Sequence, residues 1–213
     1  QRFDAQTPTR TDYAFEGWYL ENGTRVTAGT VVTENMSLTA HWTAGEVNYT
    51  VEHYLMNTDG TYPDKPTRTY TERDKAGTQK GLSFLTLSYG TSWIKPMIEK
   101  NGAMKEVTGT DKVTITGGAT IKLYYARQEV KLSYMDYGYK LPTDTTTYTP
   151  AGTCYYGAEL NLPTPTKKGY KFLGWYTDSE CTKQFTSKTV PAVESLKLYP
   201  KWEKFNVDYT VKY

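Results

Sequence analysis

Residues 8–19 read Pro-Thr-Arg-Thr-Asp-Tyr-Ala-Phe-Glu-Gly-Trp-Tyr and residues 165–176 read Pro-Thr-Lys-Lys-Gly-Tyr-Lys-Phe-Leu-Gly-Trp-Tyr, so one strand-like signature occurs twice. The copy extends further. Thr30-Val31 corresponds to Thr189-Val190, and Leu38-Thr39-Ala40-His41-Trp42 to Leu198-Tyr199-Pro200-Lys201-Trp202, with one residue of length difference between them. The match then crosses a junction, where Val47-Asn48-Tyr49-Thr50-Val51 recurs as Val207-Asp208-Tyr209-Thr210-Val211. The period is about 160 residues, too long for one solenoid repeat of roughly 20–50. Two alternating modules account for it. The expected organisation is a truncated first-type module at 1–44, a different β module at 45–128, a complete first-type module at 129–204, and the first strand of a further module at 205–213.

Modules of roughly 75–80 residues bury only about 60% of their surface and gain from packing against neighbours. The chain is rich in tyrosine, with 20 copies, and in Thr and Val, residue types that suit a pleated, half-buried surface. Lys and Arg number 25 against 23 Asp and Glu, and they are dispersed, which argues against a nucleic-acid footprint. No run approaches the 18 or so apolar residues of a membrane span, so no membrane insertion is expected in this segment.

Alternation of period two runs along most of the chain. Tyr49, Val51, His53 and Leu55 share one strand face, and Asn57-Thr58-Asp59-Gly60 reads as the following turn. Gly117-Gly118, between Val113–Thr116 and Ala119–Ala126, is a tight-hairpin signal, with Ile121, Leu123 and Tyr125 facing a core. Val130, Leu132 and Tyr134 open the complete first-type module, Tyr170–Tyr176 form its signature strand, and Leu196–Trp202 close it. Pro200 cannot donate to a ladder, so the closing strand is expected at an edge or with a bulge. Helix signals are few: a short turn within Ser92–Glu99, limited by Pro96, and a short helix in the Pro163–Lys168 region.

The string Gly-Tyr-Lys-Phe-Leu-Gly-Trp-Tyr-Thr-Asp at 169–178, followed by Leu-Lys-Leu-Tyr-Pro-Lys-Trp at 196–202, resembles the Listeria-Bacteroides repeat, also called the internalin-type B repeat. Pro200 replaces the usual alanine, and Asp12 replaces the glycine in the first copy. The intervening module, with Tyr-Thr-Val-Glu-His-Tyr-Leu at 49–55 and Ile-Lys-Leu-Tyr-Tyr-Ala-Arg at 121–127, is similar to the mucin-binding-protein-like repeats of bacterial surface proteins, except at Gly81–Lys105. These resemblances imply a mainly β (α+β) chain of tandem small β-grasp-like modules arranged as an elongated array. They also imply a secreted or cell-wall-attached protein, most often of a Gram-positive bacterium.

Catalytic and cofactor motifs are missing from the sequence: no His-Glu-x-x-His, Gly-x-Ser-x-Gly, phosphate loop or paired-cysteine zinc pattern occurs. No enzyme activity, metal or cofactor is expected. His41 and His53 stand where the repeat has Lys201 and Tyr213, which reads as surface or half-buried strand positions. Asn57 and Asp59 before Gly60 read as turn residues in preference to a calcium loop. Cys154 and Cys181 form a disulfide candidate, because an exported chain with an even cysteine count invites pairing. Trp18, Trp42, Trp175 and Trp202 recur at equivalent places and read as structural signature residues. Trp93 and Tyr89 have no repeat counterpart and are the ligand-binding candidates, set against a core-filling role in the middle module.

Two functional classes follow. The first is a stalk or spacer within an adhesin, whose partners are the neighbouring repeat modules of the same protein. The alternative is a direct adhesive module that binds a host glycoprotein, mucin glycan or receptor. Unpaired strand edges at the two ends lead to a further expectation, of strand-mediated self-contacts or disorder there.

Overall fold

The computed structural model describes residues 3–205. The segment 206–213, most of the expected strand of a further module, lies outside the described residues. The fold is mainly β, in agreement with the alternating sequence pattern. Fourteen strands are present among the described residues: β1 Tyr13–Tyr19, β2 Arg25–Val26, β3 Thr39–Ala44, β4 Glu46–Leu55, β5 Arg68–Lys75, β6 Gln79–Gly81, β7 Ile94–Lys100, β8 Ala103–Glu106, β9 Lys112–Thr114, β10 Thr120–Arg127, β11 Glu129–Tyr134, β12 Gly152–Tyr155, β13 Tyr170–Tyr176 and β14 Ser195–Lys204. The chain divides into two compact units, one of residues 1–54, 65–87 and 96–124, the other of 55–64, 88–95 and 125–213.

The first unit contains a three-stranded sheet of order β2-β1-β3 and most of a five-stranded sheet of order β5-β4-β10-β7-β8, with a small β6-β9 ribbon. Alternation dictates the burial. On β4, Tyr49 is 1% exposed and Val51 and His53 are fully buried, and on β10 Ile121 and Leu123 face inward with them. His53 therefore corrects the expected surface or half-buried position. Its ring stacks on Tyr70 at 5.3 Å, and burial, reinforced by the Arg68 charge, lowers its pKa from the ordinary 6.5. The period-two pattern placed His53 on the Tyr49–Val51 face, and that face proves to be the fully enclosed one.

Three local expectations are refined or change. The short turn expected within Ser92–Glu99 is confined to Ser92-Trp93, and residues 94–100 form β7, because Pro96 removes a helical donor and crowds the preceding turn, whereas in a strand its carbonyl still accepts Val107 N at 2.9 Å. The segment 163–168 contains no helix; Thr166 is bridged to Lys140 and Lys167 to Tyr170, and Lys168 begins a turn. Gly117-Gly118 does form a turn, closed from Ala119 N to Thr116 O at 3.3 Å, yet its flanking strands do not pair with each other. Instead β9 pairs with β6, and β10 lies between β4 and β7. Ile115, fully buried, is held by main-chain bonds to Thr78 and Gly77, and these draw the strand before the turn away from the strand after it.

The second unit is built on a four-stranded sheet of order β12-β11-β14-β13. The hairpin β11/β12 is antiparallel, β11 runs parallel to β14, and β14 is antiparallel to β13. Val130, Leu132, Leu160, Trp175, Val190, Leu196 and Leu198 form its core. Each such aliphatic side chain contributes about 1.5–3 kcal/mol on burial. Pro200 is not on an edge strand, since β14 has neighbours on both sides in the sheet order. It is tolerated because β11 pairs only with Ser195–Leu198, so at Pro200 the ladder on that side has already ended. The expected irregularity lies in the partner strand, where the β13 register shifts between Phe172 and Gly174.

The middle sheet repeats this strand order with a different sequence. β4 pairs antiparallel with β5, as β11 does with β12. It also runs parallel to β10: Thr50 N donates to Ala119 O at 2.8 Å and Met56 N to Tyr125 O at 3.0 Å, both ends advancing together. β10 in turn has β7 on its far side, as β14 has β13.

Candidate joints between successive sheets

The signature strand owes its shape to a bulge. In β1 the pairing with β3 slips between Phe15 and Gly17, and β13 slips against β14 between Phe172 and Gly174. Gly17 and Gly174 take φ of 153° and 133°, a region that side-chain-bearing residues rarely adopt, so the Gly of Phe-x-Gly-Trp is fixed by the backbone. The slip brings three rings together. Phe15 lies 5.6 Å from Trp18 and 5.4 Å from Trp42, and Phe172 lies 5.4 Å from both Trp175 and Trp202. The four recurrent tryptophans thus stand in two equivalent clusters. Trp175 is 3% exposed, and its Nε1 donates to Pro163 O at 2.8 Å.

A second recurrent arrangement lies where one sheet hands the chain to the next. β3 passes into β4 through Gly45 alone, and β10 into β11 through Gln128 alone. Gly45 N donates to Asp12 O at 2.8 Å, and Ala76 N donates to Gly45 O at 2.9 Å. Gln128 N donates to Trp93 O at 3.0 Å, and Tyr156 N donates to Gln128 O at 2.9 Å. The correspondence is positional. In each case the linker N–H binds the residue just before the upstream strand that neighbours the closing strand in the sheet, β1 beside β3 and β7 beside β10, and the linker C=O binds the residue just after the second strand downstream. Phe205, after β14, makes the first of these bonds again, to Gly169 O at 3.0 Å. Each joint lies wholly within one compact unit: Asp12, Gly45 and Ala76 in the first, Trp93, Gln128 and Tyr156 in the second.

Side chains reinforce both joints. Asp12 has φ 67°, matching Gly169 at 79°, so Asp replaces Gly without changing the backbone conformation. Its Oδ2 accepts Gly117 N at 2.7 Å, while the Tyr13 hydroxyl donates to Ala76 O at 3.3 Å. Around Gln128, Arg127 donates from Nε to Met56 O at 2.8 Å and from Nη1 to Tyr156 O at 3.1 Å. Trp93, half-buried, sits 6.3 Å from the Tyr156 ring and packs on the core of the β11–β14 sheet. Tyr89 is also half-buried, with its ring 5.0 Å from Tyr125. The two ligand-binding candidates are therefore engaged with neighbouring side chains.

The remaining candidates are dispersed. His41 is exposed and stacks on Tyr19 at 4.0 Å. Asn57–Thr61 form a turn in which Asp59 Oδ1 accepts Thr61 N at 2.9 Å. Cys154 and Cys181 are free thiols, which corrects the proposed disulfide. Cys154 lies on β12 opposite Val130, with its Sγ 3.3 Å from Val130 O, whereas Cys181 Sγ is 4.0 Å from Pro200 O. Val130 is level with Glu194, the residue just before β14 and six residues before Pro200, or roughly 20 Å along the strand direction. A disulfide needs Cα atoms about 4.4–6.8 Å apart.

With the bulged strand and its aromatic cluster found twice, the comparison with known families is direct. The model of the Listeria-Bacteroides repeat domain matches residues 3–41 and 132–201. The chain belongs to the Listeria-Bacteroides repeat family. The two matched segments contain β13 with most of β14 and, in the first copy, β1 with part of β3. Among relatives, a protein of Evansella cellulosilytica provisionally named as a Gly-rich membrane protein is 26% identical over 223 residues, covering 97% of this chain and 22% of its own length. A second, provisionally named as a membrane protein from the same organism, is 41% identical over 59 residues, 27% of this chain and 9% of its own. The chain thus spans about a fifth or less of these relatives. No solved structure matches it significantly. Among the described residues, no helix is long and apolar enough to cross a membrane.

Proposed function

We propose that the chain is a non-catalytic stalk or spacer segment of an extracellular bacterial surface protein, in which Listeria-Bacteroides repeats alternate with a mucin-binding-protein-like module. The module boundaries on this reading are 1–44, 45–128 and 129–204, and the modules are β-grasp-like, with a hairpin strand parallel to the closing strand. The observation behind the proposal is the joint at Gly45 and Gln128, whose donor and acceptor are both satisfied across the junction. A flexible tether has no need of such bonds. A spacer does, because a linker of one residue with both main-chain groups engaged restricts the φ/ψ freedom through which successive repeats would swing. The names of the relatives accord with a chain held at a cell envelope.

The test is amide hydrogen exchange on the intact chain together with retention on immobilised mucin and a glycan array. Protection of the Gly45 and Gln128 amides comparable to that of strand interiors, with no retention, is the expected result. Rapid exchange at both linkers would remove the basis of the spacer reading. Saturable retention that is lost in Trp93→Ala would replace it with direct adhesion.

A further inference from the structure

The second unit gathers positive charge in one cleft. Lys140, Lys167 and Lys168 line an opening of about 700 Å³ together with Thr166, Tyr170 and Phe172. That volume falls within the roughly 300–1,000 Å³ of small-ligand sites. The backbone brings the lysines together: Lys140 N donates to Thr166 O at 2.8 Å, and Thr166 N donates to Lys140 O at 2.9 Å. Among the described residues, no carboxylate pairs with any of the three. Asp136, the acid of the adjoining turn, accepts Gly138 N at 2.9 Å. Across β13 and β14, Lys204 stands opposite Tyr170 and Trp202 opposite Phe172, whereas Glu203 stands opposite Lys171 on the other face. Like charges held together without a counter-charge repel one another, and a bound anion relieves that repulsion.

One cation is fixed in advance. Lys167 Nζ donates to Tyr137 O at 2.9 Å and lies 4.9 Å from the centre of the Tyr170 ring and 5.9 Å from that of Trp202, so ring faces support the ammonium. In the first copy Arg10 takes the place of Lys167, 3.9 Å from the Tyr13 ring centre, and stays exposed although the Tyr13 hydroxyl is used in the joint. A cation over this ring is thus compatible with a joint in place. Thr11 stands where the second copy has Lys168, so that cation is particular to the second copy.

We propose that this cleft binds a phosphate monoester carried on a sugar. The main chain at Lys140 and Thr166 is already paired in both directions, so no strand can add there, and recognition falls to ammonium groups, the Thr166 hydroxyl and aromatic rings. A phosphate monoester brings about two negative charges and three acceptor oxygens, enough to engage all three lysines. Lysines, as point charges with rotatable donors, suit a tetrahedral group of this kind. The sugar ring lies against Phe172 and against Tyr170, which is 36% exposed. A carboxylate or a sulfate ester carries a single charge and matches the cluster less well. A phosphate site therefore stands apart from the mucin and glycan retention that tests the spacer reading.

Isothermal titration calorimetry of the intact chain with glucose-6-phosphate is expected to show saturable binding of one molecule per chain. Inorganic phosphate should bind more weakly, the singly charged glucose-6-sulfate more weakly still, and glucose not at all. Lys140→Gln and, independently, Lys168→Gln should each weaken binding about tenfold, the loss of one charge-assisted bond, with circular dichroism unchanged. Tyr170→Ala should bring the affinity for the sugar phosphate down to that for inorganic phosphate. Lys188→Gln, the same loss of charge at an exposed position elsewhere in the unit, should have no effect. Absence of saturable binding at millimolar ligand overturns the proposal, as does an equal effect of Lys188→Gln, which would make the attraction a diffuse one. Equal affinity for the sulfate ester would refute the phosphate, and tighter binding of a phosphoserine peptide would refute the sugar.

Discussion

Asp12 offers a stringent test of how the first joint is held. It combines three duties: a left-handed backbone at φ 67°, a carbonyl that accepts Gly45 N, and a carboxylate that accepts Gly117 N at 2.7 Å. Substitutions separate them. Asp12→Gly keeps the backbone conformation and the carbonyl bond and loses only the exposed side-chain bond, a cost of about 1 kcal/mol. Asp12→Ala loses the same bond and adds the penalty of a side chain in the left-handed region, roughly 1 kcal/mol more. Asp12→Asn retains an acceptor and a residue type that tolerates this conformation, so it should cost least. The order expected in urea denaturation, with slopes unchanged, is Asn, then Gly, then Ala as the most destabilised. A Cβ on Gly117 would lie 2.5 Å from Asp12 Oδ1, so Gly117→Ala displaces the same carboxylate. In that background Asp12→Gly should cost little, a non-additivity that a double-mutant cycle reads directly. If Asp12→Gly is as harmful as Asp12→Ala, or if the two positions are additive, the joint is not built as described.

Three further outcomes are expected. Because burial and then the Arg68 charge lower the pKa of His53 in the fold, the unfolded chain takes up a proton near pH 6.5 that the folded chain refuses. Stability is thus complete above that pH and declines as pH falls from it toward the folded pKa; denaturation midpoints of His53→Phe measured across this window should show a shallower dependence. Trp175→Phe opens space in the core and strips Pro163 O of its donor, for about 2–3 kcal/mol, whereas Trp18→Phe, with no such bond to lose, should cost less than half of that in the same denaturation assay. Thiol titration of unfolded, unreduced chain should yield both Cys154 and Cys181. In the native state burial raises both thiols above the ordinary value, so modification should be slow; the absence of any reactive thiol in the unfolded, unreduced chain would restore the disulfide.

What the sequence discloses is set by which interactions side chains make. The signature strand is legible to the residue, Tyr170–Tyr176, because its bulge demands Gly174 and its cluster demands Phe172, Trp175 and Trp202. The alternation on β4 and β10 is legible for the same reason. The shared strand order of the middle sheet is not, since a parallel pairing such as Thr50 with Ala119 joins positions far apart in the chain and leaves no local pattern. Gly117-Gly118 misled because turn chemistry specifies the turn and not the partners of its flanking strands. His53 misled in a different way: comparison with Tyr213 suggested tolerance, while the enclosed face it occupies needs only a flat ring that stacks on Tyr70.

The joints were invisible for a reason that bears on how such arrays are assembled. Gly45, Gln128 and Phe205 share no side-chain chemistry, and neither do Asp12, Trp93 and Gly169, whose carbonyls receive their N–H groups. Only main-chain atoms recur. A joint made of one N–H and one C=O places no demand on residue type beyond a compatible backbone, so a sheet that ends in a suitable closing strand can be followed by any other that opens with a hairpin. The common strand order of the middle and second-copy sheets meets that condition from both sides. Sheets of unlike sequence can then follow one another along one chain with the same joint at each exchange. What distinguishes one joint from another is left to side chains around it: a carboxylate on a glycine turn at Gly45, a guanidinium spanning two carbonyls at Gln128. The joint should accordingly survive exchange of one repeat type for another and weaken when its flanking side chains are lost.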